Sequence, residues 1–193
     1  MKINKIIIAE TEKIFLDFAK KLNFKNIKAS EEIIYSEKEK IWEDNEEENI
    51  VLIYWKEIEK VIDFIKENYI VIEKIIIAWI AWILSNTELQ KNDIIIPNTF
   101  ISKKWETIFL DNTTIGKDYD MKKFWLILNG ICSSNTDEKN LWNEFEADIK
   151  SEKIFSYLEK LKEENLLDKA TVVFQIEEDK DFTNLLAIID MML

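Results

Sequence analysis

Histidine and arginine are absent from this chain of 193 residues, cysteine and proline occur once each, and glycine occurs twice. Without histidine there is no Ser–His–Asp relay and no imidazole zinc site. The single cysteine, Cys132, excludes an internal disulfide and a multi-cysteine metal centre. With no imidazole to activate its thiol, Cys132 reads as a small buried hydrophobe rather than a nucleophile. Chemistry is left to carboxylates, hydroxyls, amides and the backbone. The lack of arginine removes the forked donors that grip phosphate, leaving lysine as a point charge. A basic stripe is missing as well: 26 basic residues are scattered among 38 acidic ones, as in Glu37-Lys38-Glu39-Lys40, and the formal net charge is -12. Such a surface repels a phosphate backbone, so no nucleic-acid partner is expected. No apolar run approaches the ~20 residues of a membrane span. The N-terminal apolar run is too short for a signal sequence and is closed by Glu10, so the reading is a cytoplasmic protein without membrane contact.

What is present is a core. Hydrophobic residues make up 47% of the chain and aromatics 12%, enough to bury a sizeable interior and to set aside the signature of disorder. One domain spanning residues 1–193 is expected. Tryptophan occurs seven times, and several tryptophans fall where a turn or a close backbone approach is expected. Trp55 follows the strand-like run 49–54, and Trp79 and Trp82 follow Lys74-Ile75-Ile76-Ile77-Ala78. Turns and close approaches are glycine positions by physical preference. Two readings stand side by side: a tryptophan-rich core, or a reassigned UGA codon translated as Trp where the source organism reads Gly. Peptide mass spectrometry of the native protein separates them.

Short β-branched runs alternate with amphipathic stretches. Residues 5–9 read as a buried strand, and 10–22 as a helix with Ile14, Phe15, Phe18 and Leu22 on one face. Residues 31–42 suit a hairpin arm and 43–48 a solvated acidic turn rather than a metal site. Strand 49–54, helix 56–67 and strand 74–78 form a βαβ unit. Further strands are expected at 93–97, 107–110 and 170–174, and the runs 124–128 and 131–133 surround Gly130. The longest helix is expected over 144–164, and a short one from about 182. The sum is a three-layer α/β sandwich with a mixed central sheet, in which ligands bind at the carboxyl ends of parallel strands.

The run from Lys74 through Ala78-Trp79-Ile80-Ala81-Trp82-Ile83-Leu84, followed by Asn92-Asp93-Ile94-Ile95-Ile96-Pro97, resembles the purine nucleoside phosphorylase and methylthioadenosine/adenosylhomocysteine nucleosidase superfamily. There a buried strand enters a Gly-x-Ala-Gly turn and a Gly-Asp-Ile-Val-Ile-Pro-like strand follows. With Trp79 and Trp82 read as Gly, the turn becomes Gly-Ile-Ala-Gly.

The resemblance implies a nucleoside phosphorylase-like domain, short at its C-terminal end, that cleaves the N-glycosidic bond of a purine nucleoside or thionucleoside with no metal and no cofactor. It implies Asp179 as the general acid at the purine, although the family's Arg-x-x-Ser-Asp here has Gln175 and Glu178 in place of Arg and Ser. Glu12 resembles the glutamate that activates water, with Lys13 in that place if the register slips by one. Glu144-Phe145-Glu146-Ala147 resembles Glu-Met-Glu-Ala, making Glu146 the ribose ligand. A rival register sets Asp148-Ile149-Lys150-Ser151 on Asp-Met-Glu-Ser and puts Lys150 there instead. Ala81, Trp82 and Ser133 would line the substrate pocket, and Ile80 stands where nucleosidases often carry a polar residue. The family also implies a homodimer. The alternative function is a catalytically inactive member that binds a nucleoside or a protein partner.

Overall fold

The computed structural model describes residues 2–29, 33–41, 47–55, 58–83, 91–97, 99–101, 106–110, 126–128, 131–133, 146–148, 153–176 and 182–193. Its centre is four parallel strands. β1 (Ile3–Ala9) lies between β4 (Glu47–Trp55) and β5 (Ile72–Ile83), and β5 is flanked on its other side by β12 (Ala170–Ile176). The strands expected from Lys5, Asn49, Lys74 and Ala170 therefore share one sheet. β2 (Lys28–Ala29) and β3 (Ile33–Ile41) extend it antiparallel beyond β4. Beyond β12 come β6 (Ile94–Ile96), antiparallel, and β9 (Leu126–Leu128), parallel to β6. The last residues of β5 leave β12 and pair with β11 (Glu146–Asp148), which leads to β10 (Ile131–Ser133), β7 (Thr99–Ile101) and β8 (Thr107–Phe109).

Isoleucine builds this sheet. Ile6, Ile7, Ile8, Ile75, Ile76 and Ile77 are fully buried, because an interior parallel strand is covered on both faces and so reads as a continuous apolar run. Alternate residues feed two cores. Ile6, Ile8, Val51, Ile53, Ile75, Ile77, Val172 and Phe174 pack with α2 (Ile58–Asn68) and α3 (Lys153–Glu163). Ile7, Leu52, Ile76 and Val173 pack with α1 (Glu12–Lys21) and α4 (Thr183–Met192) on the other face. The helices thus form the outer layers of a three-layer sandwich with a mixed sheet.

Strand lysines close the helix ends at the amino edge of the sheet. Lys38 Nζ donates to the Leu22 carbonyl after α1 at 3.0 Å, while Lys74 and Lys5 donate to the Met192 and Leu193 carbonyls at 3.1 and 2.6 Å. Cations there answer both the orphan carbonyls and the negative end of the helix dipole.

Two expectations change. The helix expected over 144–164 begins only at Lys153, and Glu146–Asp148 is strand β11. Pairing on both sides, with β10 and with β5, overrides the helical preference of its Glu and Ala. Trp79 and Trp82 do not occupy a turn, because β5 runs on through Ile83. Trp79 is 3% exposed and meets the Tyr157 ring edge-on at 5.9 Å between centroids.

Among the described residues the left-handed backbone positions fall to asparagine: Asn23 (φ 60°), Asn92 (φ 69°) and Asn165 (φ 57°). Asparagine is the residue after glycine that tolerates this region best. Asn23 and Asn165 end α1 and α3, where the next amide reaches back to Ala19 and Leu161, each at 2.8 Å. Replacing exposed Asn165 by Ala should therefore destabilise the protein by about 1 kcal/mol in urea titration, and replacement by Gly should be neutral or stabilising.

Candidate functional site at the carboxyl edge of the sheet

All four parallel strands end on the same side. β1 finishes at Ala9 and turns into Glu10 and Thr11. Thr11 caps α1: its hydroxyl accepts the Ile14 N–H at 3.2 Å from extended backbone (φ -125°, ψ 155°). The cap fixes where the chain leaves the sheet, and so where Glu10 and Glu12 stand.

Glu10 makes an unusual continuation of the ladder. In the parallel register Ala9↔Ala78, its N–H donates to the Ala78 carbonyl at 3.1 Å, as a further strand residue would. The next bond of a parallel ladder would run from the Ile80 N–H to the Glu10 carbonyl. The Glu10 carboxylate takes it instead, Oε2 accepting from Ile80 N at 3.1 Å. A charge-assisted bond thus holds β5 at the point where the β1 backbone departs. Burial, then the charge of Glu10, then Tyr54 push the Tyr157 hydroxyl well above the ordinary phenol range. Tyr157 packs on Trp79, next to the Ile80 amide that Glu10 holds.

The exit of β12 is framed by asparagines. The Asn92 N–H donates to the Ile176 carbonyl at 2.7 Å, and the Ile176 N–H to the Asp93 carbonyl at 2.9 Å. Gln175, fully buried, donates through Nε2 to Asn92 Oδ1 at 3.1 Å, and Asn184 Nδ2 donates to the Asn92 carbonyl at 3.3 Å. Asn92 takes the left-handed conformation immediately before the Asp-Ile-Ile-Ile-Pro run, where the resembled motif has glycine. Segment 92–97 and the last residues of β12, Gln175 and Ile176, meet at this corner.

Of the candidates from sequence, Glu12 is the first residue of α1 and exposed. Lys13 places Nζ 4.7 Å from the centroid of the Phe182 ring, just before α4. Asp179 lies outside the described residues, three positions past the end of β12. Ala81 and Trp82 are β5 residues; the register sets Ala81 beside Ile176, and Trp82 beside Asp148 of β11. Glu146 pairs with Ile131 and Asp148 with Ser133 across β11 and β10. The backbone thus brings the strands bearing Ala81, Trp82, Glu146 and Ser133 together as neighbours. Lys150 lies outside the described residues. Among the described residues no group of three or more acids or cysteines could hold a metal ion, and no helix is long and apolar enough to cross a membrane.

Glu10 and Tyr157 are not singled out from the sequence, and Gln175 and Asn92 appear there only as parts of two separate motifs, not as a pair. Only Glu10 left a signal, an acid immediately after a buried strand.

No family model matches this sequence, and no curated protein does. Solved structures match over nearly the whole chain. A futalosine hydrolase mutant of Helicobacter pylori strain 26695 aligns with a TM-score of 0.65 at 11% identity, covering 99% of both chains. A mutant of the Helicobacter pylori MTAN, solved with 5'-methylthioadenosine in its active site, aligns at 0.63 and 11% identity, covering 100% of this chain and 91% of that one. The P. knowlesi homologue of P. falciparum PNP aligns at 0.57 and 12% identity over 96% and 85%. The fold is that of the nucleoside phosphorylase-like superfamily.

Proposed function

We propose that the protein is a nucleosidase-like hydrolase that breaks the N-glycosidic bond of a purine nucleoside or thionucleoside of the methylthioadenosine or adenosylhomocysteine type. The observation that carries this reading is the convergence at one sheet edge of the ends of β1, β5, β11 and β12, in a fold shared over the full chain with nucleoside-cleaving enzymes. Asp179 donates its proton to the purine as the bond from C1′ to the base breaks and the electron pair leaves with the base. Water adds at C1′ and gives up its proton to Glu12. Glu146 accepts the ribose hydroxyls, and Ser133, Ala81 and Trp82 line the pocket. Carboxylates suit a transition state in which positive charge gathers on the sugar. Water rather than phosphate is the acceptor because the chain has no arginine. The reading includes a cytoplasmic homodimer, checked by sedimentation at micromolar concentration.

The experiment is incubation with methylthioadenosine, adenosylhomocysteine, adenosine and inosine, with chromatography for free base. Release of base from at least one is the expected outcome. A second reading, a nucleoside-binding member without turnover, is favoured by Lys13 at the position the slipped register gives to the water-activating glutamate. Calorimetric binding with no base released from any of the four would establish it.

A further inference from the structure

Resting on that reading, we infer that Glu10 and Tyr157 are positioning residues of the nucleoside pocket. The Glu10 carboxylate holds the β5 backbone at Ile80, and the Tyr157 ring packs on Trp79 of the same strand.

β5 changes partners near its end, from β12 at Ala81 to β11 at Trp82 and Ile83. Opposite β12, β1 has already turned away after Ala9. A continuing ladder would give the Ile80 amide a carbonyl on this flank, and the departing β1 backbone no longer supplies it. A side-chain oxygen at 3.1 Å closes that flank at Ile80, and Ile80 is itself buried. Glu10 is tied at its own N–H to Ala78, so its carboxylate moves with β5 rather than with helix α1. Tyr157 reaches the same place from α3 on one face, its ring locked edge-on against Trp79. The two contacts hold β5 at the neighbouring residues Trp79 and Ile80, just before the pocket positions Ala81 and Trp82, while neither group takes up or gives up a proton in the reaction.

The test compares Glu10→Ala with Glu10→Gln, which keeps an acceptor oxygen and loses the charge. Three measurements are made on each. Hydrogen exchange at the Ile80 amide should quicken about tenfold or more in Glu10→Ala and return toward wild type in Glu10→Gln, with Ile76 unchanged in both, as loss of one charge-assisted bond at a strand end requires. The alkaline absorbance change assigned to Tyr157, by difference from Tyr157→Phe, should move to lower pH in both variants because both remove the charge. The dissociation constant or KM for the cleaved nucleoside should rise about tenfold in Glu10→Ala, with kcat changed far less, and Glu10→Gln should recover part of the loss.

Unchanged Ile80 exchange in Glu10→Ala would overturn the clamp. Faster exchange with unaltered nucleoside affinity would reduce Glu10 to a purely structural role and overturn the inference. Exchange and absorbance are read without nucleoside, so a wild type that binds none of the four nucleosides overturns the functional reading. In that case the clamp remains a strand-end device with nothing to position.

Discussion

Replacing Asp179 by Asn is expected to lower the rate of base release by ~10² to 10⁴, the usual contribution of a positioned general acid. A purine leaving from C1′ carries negative charge, and protonation of the base as the bond breaks is what makes it a tolerable leaving group. An amide cannot supply that proton. For the wild type to do so near neutral pH, Asp179 must hold its proton above the ordinary carboxylate range, which burial or a neighbouring like charge would bring about. The rate of the wild type should accordingly fall on the alkaline side as Asp179 loses its proton, and Asp179→Asn should lose that limb along with its rate. Glu12→Gln should lower the rate by a similar factor, because an amide takes no proton from water. Rates within threefold of wild type in both variants would withdraw the two assignments while leaving the fold untouched.

Stability should respond most to the pair Lys5–Glu48. The two groups stand 2.7 Å apart with side chains 10% and 11% exposed, on adjacent strands at the amino edge of the sheet. Lys5 also donates to the Leu193 carbonyl at 2.6 Å, so one ammonium group joins β1, β4 and the end of α4. Lys5→Met takes the cation away from a carboxylate that water scarcely reaches, and about 3–5 kcal/mol should be lost. Against a typical total of about 5–15 kcal/mol, that is a large fraction of the fold's margin. The double variant Lys5→Met/Glu48→Leu removes both charges and should recover much of the loss, because it also takes away the buried carboxylate that has lost the ammonium at 2.7 Å. Urea titration of the two singles and the double gives the coupling directly. A Lys5→Met variant within about 1 kcal/mol of wild type would show that Glu48 is better solvated than its burial implies.

The strands could be read from the sequence because each interior strand is an unbroken β-branched run, and such runs have few places to go other than a doubly covered sheet. The amphipathic faces of α1 and α2 were equally plain. What misled was composition at strand ends. Trp79 and Trp82 look like displaced turn residues, whereas among the described residues the left-handed positions have gone to Asn23, Asn92 and Asn165. Glu146-Ala147-Asp148 carries a helical composition and is a strand only because two partners far away in sequence hold it. Ser133, Glu146 and Asp179 were named through resemblance to a family. Glu10 acts on an amide 70 residues away, and Gln175 on a side chain 83 residues away. Contacts of that span leave no periodicity for a reader of the sequence to find.

The position of β12 beside β5 also sets a clock on biosynthesis. Ala170 pairs with Ile75, roughly 95 residues earlier, and ribosomes add ~5–20 residues per second, so β5 waits on the order of 5–20 s for this neighbour. Throughout that interval an isoleucine-rich strand, already paired with β1 on one side, presents open amides and carbonyls on the other. Such an edge is a template for any passing strand. Yield of the folded protein should therefore depend on what shields the nascent chain during those seconds.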